Sequence, residues 1–117
     1  MLLKMKNKIK ISSGNKEIQC DIYLAETFYE RLKGLMFSVE EYGLLFENCN
    51  SIHTCFMKFN LDIICLDKKL KIIKVFYDVK PFKFIRPTKY VENILEIPSS
   101  FNAKNSFQSG MFIKIEK

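Results

Sequence analysis

The chain has no tryptophan, one histidine and only two arginines, Arg31 and Arg86. Each shortage narrows what the protein can be. Positive charge carried almost wholly by lysine argues against specific phosphate recognition, which favours the arginine fork over a point charge. The four cysteines, Cys20, Cys49, Cys55 and Cys65, contain no Cys-x-x-Cys pair, which excludes a zinc ribbon or thioredoxin-type motif. No stretch approaches the ~20 apolar residues of a membrane helix. The start, Met-Leu-Leu-Lys-Met-Lys-Asn-Lys, is basic but lacks an apolar core, so a signal peptide is not expected. There is no internal repeat and no linker. These absences point to one domain over residues 1–117, in the cytoplasm, with reduced thiols.

Enough remains to build a core. Of 117 residues, 48% are hydrophobic and 27% charged, which is the range of ordinary globular chains. A domain of this length buries roughly two thirds of its unfolded surface. The net charge is +6. It is spread over Lys4, Lys6, Lys8 and Lys10 and over Lys68, Lys69, Lys71 and Lys74, a pattern of solubilising charge more than of a nucleic-acid footprint.

Period-two alternation dominates. Lys8 to Ser12 and Ile18 to Leu24 predict two strands joined at Ser13-Gly14-Asn15. At Thr27 the period changes. Thr27-Phe28-Tyr29-Glu30 has the form of a capping box, with Phe28, Leu32 and Leu35 or Met36 on one face of a two-turn helix and Gly34 placed to end it. Val39 to Tyr42 reads as a loop. Further strands are expected at 43–46, 52–57, 62–66, 71–79, 90–97 and 111–116. The 62–66 strand is so apolar that both its faces should be covered. Pro81 and Pro87 bar the segment between them from a central strand. Pro98-Ser99-Ser100 opens a second short helix, with Phe101 and Ala103 available to pack. Long helical crossovers are missing, so pairing should be mostly antiparallel. The fold class is therefore mainly β (α+β): a compact, curled sheet or partly open barrel, with one or two short helices and the Thr27 helix across one opening.

Glu30-Arg31-Leu32-Lys33-Gly34-Leu35-Met36-Phe37 resembles the E-R-x-x-G-L-M-F/M signature of domain of unknown function 192, also called uncharacterised protein family 0127. Gly43-Leu44-Leu45-Phe46 resembles that family's G-M-L-F strand. The block from His53-Thr54 through Met57 to Asp62 and Leu66-Asp67 resembles H-T-x-x-M-x-x-P-I-D-x-x-F-L-D. Tyr90 to Pro98 resembles its V-L-E-L-P-A-G strand-to-helix joint. The resemblance covers about residues 20–116 and implies a small β-rich domain without an assigned activity. Asn60 stands where the family often has proline, and Met111 where it usually has aspartate. Cys55 and Cys65 occupy positions that are usually aromatic or small.

Several residues carry chemistry. In an extended strand His53, Cys55 and Met57 share a face, and Cys49 can approach from the preceding turn, a set suited to Cu(I) or Zn. The plainer reading, preferred here, is a core strand with one hydrogen-bonded histidine. His53 with Asp62 would make an acid–base pair, and Cys55 or Cys49 beside His53 a nucleophile, but no oxyanion hole is identifiable. Arg31 is expected to fork onto Asp62 or Asp67 and fix the helix on the sheet. Asp62 itself should accept backbone amides at the bend before its strand. Phe82, Phe84 and Arg86 interleave aromatics with cations, as a binding edge does. The leading expectation is a non-enzymatic binding or accessory module using Arg31, His53, Met57, Asp62, Phe82, Phe84 and Arg86, for an unknown small ligand or protein. The alternative is a soft-metal protein or a metal- or thiol-dependent enzyme built on His53 with Cys55 or Cys49. No cofactor can be named.

Overall fold

Alternation of branched apolar and polar residues from Lys8 onward commits the chain to extended structure, and the structure, a computed structural model, is a curled mixed sheet forming a half-barrel. It describes residues 7–14, 16–18, 20–36, 42–101 and 106–116. Strands β1 (Lys8–Ser13), β2 (Lys16–Glu17), β3 (Asp21–Leu24), β4 (Tyr42–Glu47), β6 (Leu61–Leu66), β7 (Ile72–Val79), β9 (Asn93–Pro98) and β10 (Ile113–Glu116) make the main sheet. Its order is β10-β1-β3-β4-β9-β6-β7, with β2 on β1. A separate ribbon pairs β5 (Ile52–His53) with β8 (Phe84–Ile85). A lone bridge between Lys71 and Phe112 ties the two edges of the curl at one end.

Pairing among the named strands is antiparallel except between β3 and β4. That parallel step is made possible by the connection containing α1 (Phe28–Lys33), because parallel neighbours need a crossover of a dozen or more residues. Gly43 allows the close β4–β9 approach. A Cβ there would lie 2.5 Å from the Glu96 carbonyl oxygen and 2.9 Å from Ile22 Cδ1.

Both faces of the sheet are covered, which explains why β6 and β9 are buried at every position. Ile64, Leu66, Leu95 and Ile97 pack on one side with Ile11, Ile22 and Phe107. Leu61, Ile63, Cys65 and Ile94 pack on the other with Leu35, Phe46 and Met57.

Several expectations are corrected. Helix is scarce. The six residues of α1 make fewer than two turns, and among the described residues only a single 3-10 turn, Ser99–Phe101, follows Pro98, which is itself the last residue of β9 and opens no helix. The expected 18–24 strand is shorter, with β3 beginning at Asp21, although the Ile18 amide still donates to the Ile11 carbonyl of β1 (2.9 Å). Tyr42 opens β4 instead of belonging to a loop. The 52–57 strand stops at His53. Positive φ at Phe56 (60°) and a bond from the Met57 amide to the Thr54 carbonyl (3.3 Å) turn the chain away. Asn15, residues 39–41 and Ala103 lie outside the described residues, as do the side chains of Phe28 and Leu32. No described helix is long and apolar enough to cross a membrane.

Candidate functional site

The site is assembled around the end of α1. The Thr27 hydroxyl accepts from the Glu30 amide at 3.0 Å, and the Glu30 carboxylate accepts from the Thr27 and Glu26 amides at 2.9 Å each. This reciprocal exchange satisfies donors that a helix start otherwise leaves unpaired. At the other end the Gly34 amide donates to the Glu30 carbonyl, and Gly34 takes φ 53°, ψ −132°, a backbone conformation that side chains disfavour. Helix and turn thereby present Arg31 and Gly34 to the ends of β4 and β9.

Arg31 does not reach Asp62 or Asp67. Its Nη1 donates to the Glu47 carbonyl at 2.6 Å and its Nη2 to the Asn48 carbonyl at 3.3 Å. Arg31 therefore caps the outgoing end of β4. The same turn is latched to β9 by the Cys49 amide on the Glu92 carbonyl (2.8 Å) and the Asn48 amide on Asn93 Oδ1 (3.2 Å).

Beneath this turn lies a cavity of about 90 Å³, lined among others by Arg31, Gly34, Phe46, Cys49, His53, Met57 and Glu96. It opens beside a shallower cleft that shares Arg31, Cys49 and Ser51 and extends over Asn48, Asn50 and Glu92. The floor is Glu96, only 1% exposed, on the central strand β9. Its Oε1 has no hydrogen-bond partner among the described residues. Burial pushes its carboxyl up to about 8, so the acid is mainly neutral at pH 7. A Cβ at Gly34 would lie 3.5 Å from this oxygen and 3.5 Å from Phe46 Cζ. The missing side chain at Gly34 thus leaves the space above the acid. A buried polar atom without a partner is costly, and one facing a cavity is the mark of a site where something else completes the bonding.

Of the residues expected from sequence, Arg31, His53, Met57 and Cys49 meet at this cavity. His53 stands at the rim, exposed, with its Nδ1 accepting from the Cys55 amide at 3.2 Å. It is not a core histidine. Because β5 ends at His53, His53, Cys55 and Met57 do not share a strand face, and Cys55 does not line the cavity. Among the described residues no three His, Cys, Asp or Glu side chains gather as metal ligands do. Burial pushes the Cys49 thiol up despite the lowering influence of Arg31, which works against a thiolate nucleophile or ligand. The Cys49 Sγ donates to the Ser51 carbonyl at 3.1 Å.

Asp62 does not belong to this site. It lies on the opposite face of β6 from Ile63, whose register partner is Glu96. Its Oδ1 accepts from the Asp78 amide (3.0 Å) and the Ser99 hydroxyl (2.8 Å). It thus clamps the irregular stretch of β7, where the β6–β7 register shifts, and is no acid–base partner for His53. Phe82, Phe84 and Arg86 are exposed on the β5–β8 side, beyond the cavity lining.

Glu96 and Thr54 were not singled out from sequence. The signal for Glu96 was present: one acid in the run Asn93-Ile94-Leu95-Glu96-Ile97, whose neighbours demand burial. Thr54 is fully buried. Its amide donates to the Lys83 carbonyl (2.9 Å), and its carbonyl accepts from the Phe82 amide (3.0 Å). Its hydroxyl donates to the Lys80 carbonyl (2.7 Å) and accepts from the Lys83 amide (2.8 Å). This residue holds the ribbon in place; its signal was its position in the His53-Thr54 motif, which by itself names no bonding partner.

A curled mixed half-barrel with a small acid-floored cavity beside α1 defines a mainly β domain. The chain belongs to the family of domain of unknown function 192 (DUF192, described as Uncharacterized ACR), which it matches over residues 9–115. It is 32% identical over 96 residues to a UPF0127 protein of Pyrococcus furiosus, covering 77% of this chain and 81% of that protein. A UPF0127 protein of Pyrococcus horikoshii is 32% identical over 92 residues, covering 74% and 79%. Two solved structures share the fold. A protein of unknown function from Novosphingobium aromaticivorans has a TM-score of 0.72 at 19% identity, over 92% of this chain and 83% of that one. A structure titled as a putative transcription regulator, from Sinorhizobium meliloti, has a TM-score of 0.76 at 14% identity, over 97% of both.

Proposed function

We propose that the protein is a non-enzymatic binding module whose cavity takes the polar end of a small organic molecule. The observation that carries this reading is the buried, unpartnered Oε1 of Glu96 beneath the space left open by Gly34. A neutral carboxyl offers an O–H donor and a C=O acceptor side by side. Its complement is a group with an acceptor beside a donor, as in a carboxamide. A carboxylate ligand would want a free arginine fork, whereas two Arg31 nitrogens are already committed to backbone carbonyls. A cavity of about 90 Å³ holds only a few heavy atoms. The rest of the ligand would lie along the outer cleft, past Cys49 and Ser51, with His53 at the rim.

The test is native mass spectrometry of protein purified without added metal or chelator. Retained mass of an organic molecule in the wild type, lost in Glu96→Leu, supports the reading. Retained mass of a single metal ion that persists in Glu96→Leu and vanishes in His53→Ala replaces it with the soft-metal alternative.

A further inference from the structure

The ribbon β5–β8 has two unlike faces. Ile52 and Ile85 are register partners and both pack against the core. The next pair, His53 and Phe84, faces the other way and is exposed. Phe84 is 62% exposed, Phe82 65% and Phe56 53%. Phe56 and Phe82 touch edge to face, with ring centroids 5.6 Å apart and planes at 73°. Both stand at positive φ, 60° and 65°, where bulky residues are seldom found and which persists only when surrounding structure enforces it. The enforcement is visible. Buried Thr54 pins the chain at Lys80, Phe82 and Lys83. The fold holds large apolar rings outward under strain, the mark of an interaction surface.

Charge identifies the partner. From Lys80 to Val91 the chain carries Lys80, Lys83, Arg86 and Lys89 and no acid, and Lys58 follows the Phe56 turn. All five cations are exposed. We propose that the outer face of this ribbon docks on an anionic lipid surface, the phenyl rings entering the headgroup region while the cations meet lipid phosphates and carboxylates. Single-stranded nucleic acid fits less well. Stacking needs flat ring faces in series, but the paired rings meet at a steep angle, and four of the five cations are lysines, which suit a diffuse field better than forked recognition. The proposal rests on the exposed rings and cations, not on Glu96, although His53 borders both the ribbon face and the cavity rim.

The test is co-sedimentation with vesicles of phosphatidylcholine alone and of phosphatidylcholine with 30% phosphatidylserine. The wild type is expected to pellet with the anionic vesicles and stay free of the neutral ones, with binding weakened by salt. Phe82→Ser/Phe84→Ser, folded as judged by its melting curve, should bind at least about tenfold more weakly. Phe112→Ser, which removes an exposed ring on the β10 side, should bind like the wild type. No pelleting with anionic vesicles, equal binding by the double variant, or binding to a single-stranded oligonucleotide in place of vesicles would each overturn the proposal.

Discussion

Gly34 stands over Glu96: the position a Cβ would take at Gly34 is 3.5 Å from the unpartnered Oε1 of the buried acid. One residue ends the only α-helix described and also roofs the cavity. Its φ of 53° should make Gly34→Ala cost about 1–3 kcal/mol. Gly110 provides the comparison, since it has φ 93° with nothing within 4 Å of the place a Cβ would occupy. Both alanine variants should show lower denaturant midpoints with unchanged slopes. Only Gly34→Ala should also exclude ligands from the cavity. Equal ligand binding by the two variants would remove Gly34 from the site.

Glu96 gives stability a pH dependence of definite sign. In the unfolded chain it titrates near its ordinary 4.5, and in the folded chain burial raises it to about 8. Between those values the folded state keeps a proton that the unfolded state has lost. Stability therefore falls as pH rises through this window and is least above it. Relative to Glu96→Gln, the wild type should lose a few kcal/mol between pH 5 and pH 9. Stability curves for the two proteins that run parallel over that range would contradict the assignment.

Thr54→Val should loosen the ribbon. The substitution keeps the shape but leaves the Lys83 amide and the Lys80 carbonyl without their hydroxyl partner. The cost should be about 2–3 kcal/mol, with faster amide hydrogen exchange over 80–85. A variant as stable as the wild type, with unchanged exchange, would show that the hydroxyl is not the pin.

His53→Ala should change stability little, within about 0.5 kcal/mol, because the ring is exposed and the Cys55 amide can turn to water. A large loss in a thermal melt would mean that His53 anchors the turn after β5.

What was legible in the sequence is what local periodicity and covered faces dictate. The apolar run before Leu66 announced a strand buried on both sides, and the Gly43-Leu44-Leu45-Phe46 run announced a second buried strand, two places away in the sheet. The end of β5 was not legible, because Thr54 leaves the strand to bond a segment more than 25 residues further on. That one event separates His53, Cys55 and Met57 and dissolves the imagined metal face. The parallel β3–β4 step was hidden because the intervening helix is too short to look like a crossover. Arg31 was sent to the wrong partner because a sequence shows acids but not which backbone carbonyls gather at a strand's end. Glu96 was visible as an acid among branched residues, yet its meaning depends on a missing partner atom, which only the packed sheet reveals.

The central claim is that Glu96 floors a binding cavity for a neutral amide-like group. The most direct measurement is an amide NMR titration at pH 7 with acetamide, with acetate and methylammonium as comparisons, on wild type and Glu96→Leu. The account predicts saturable shifts at Gly34, Phe46 and residue 96 with acetamide, reduced in the variant and weaker with either ion. Shifts that are absent, that favour an ion, or that persist unchanged in Glu96→Leu would contradict it.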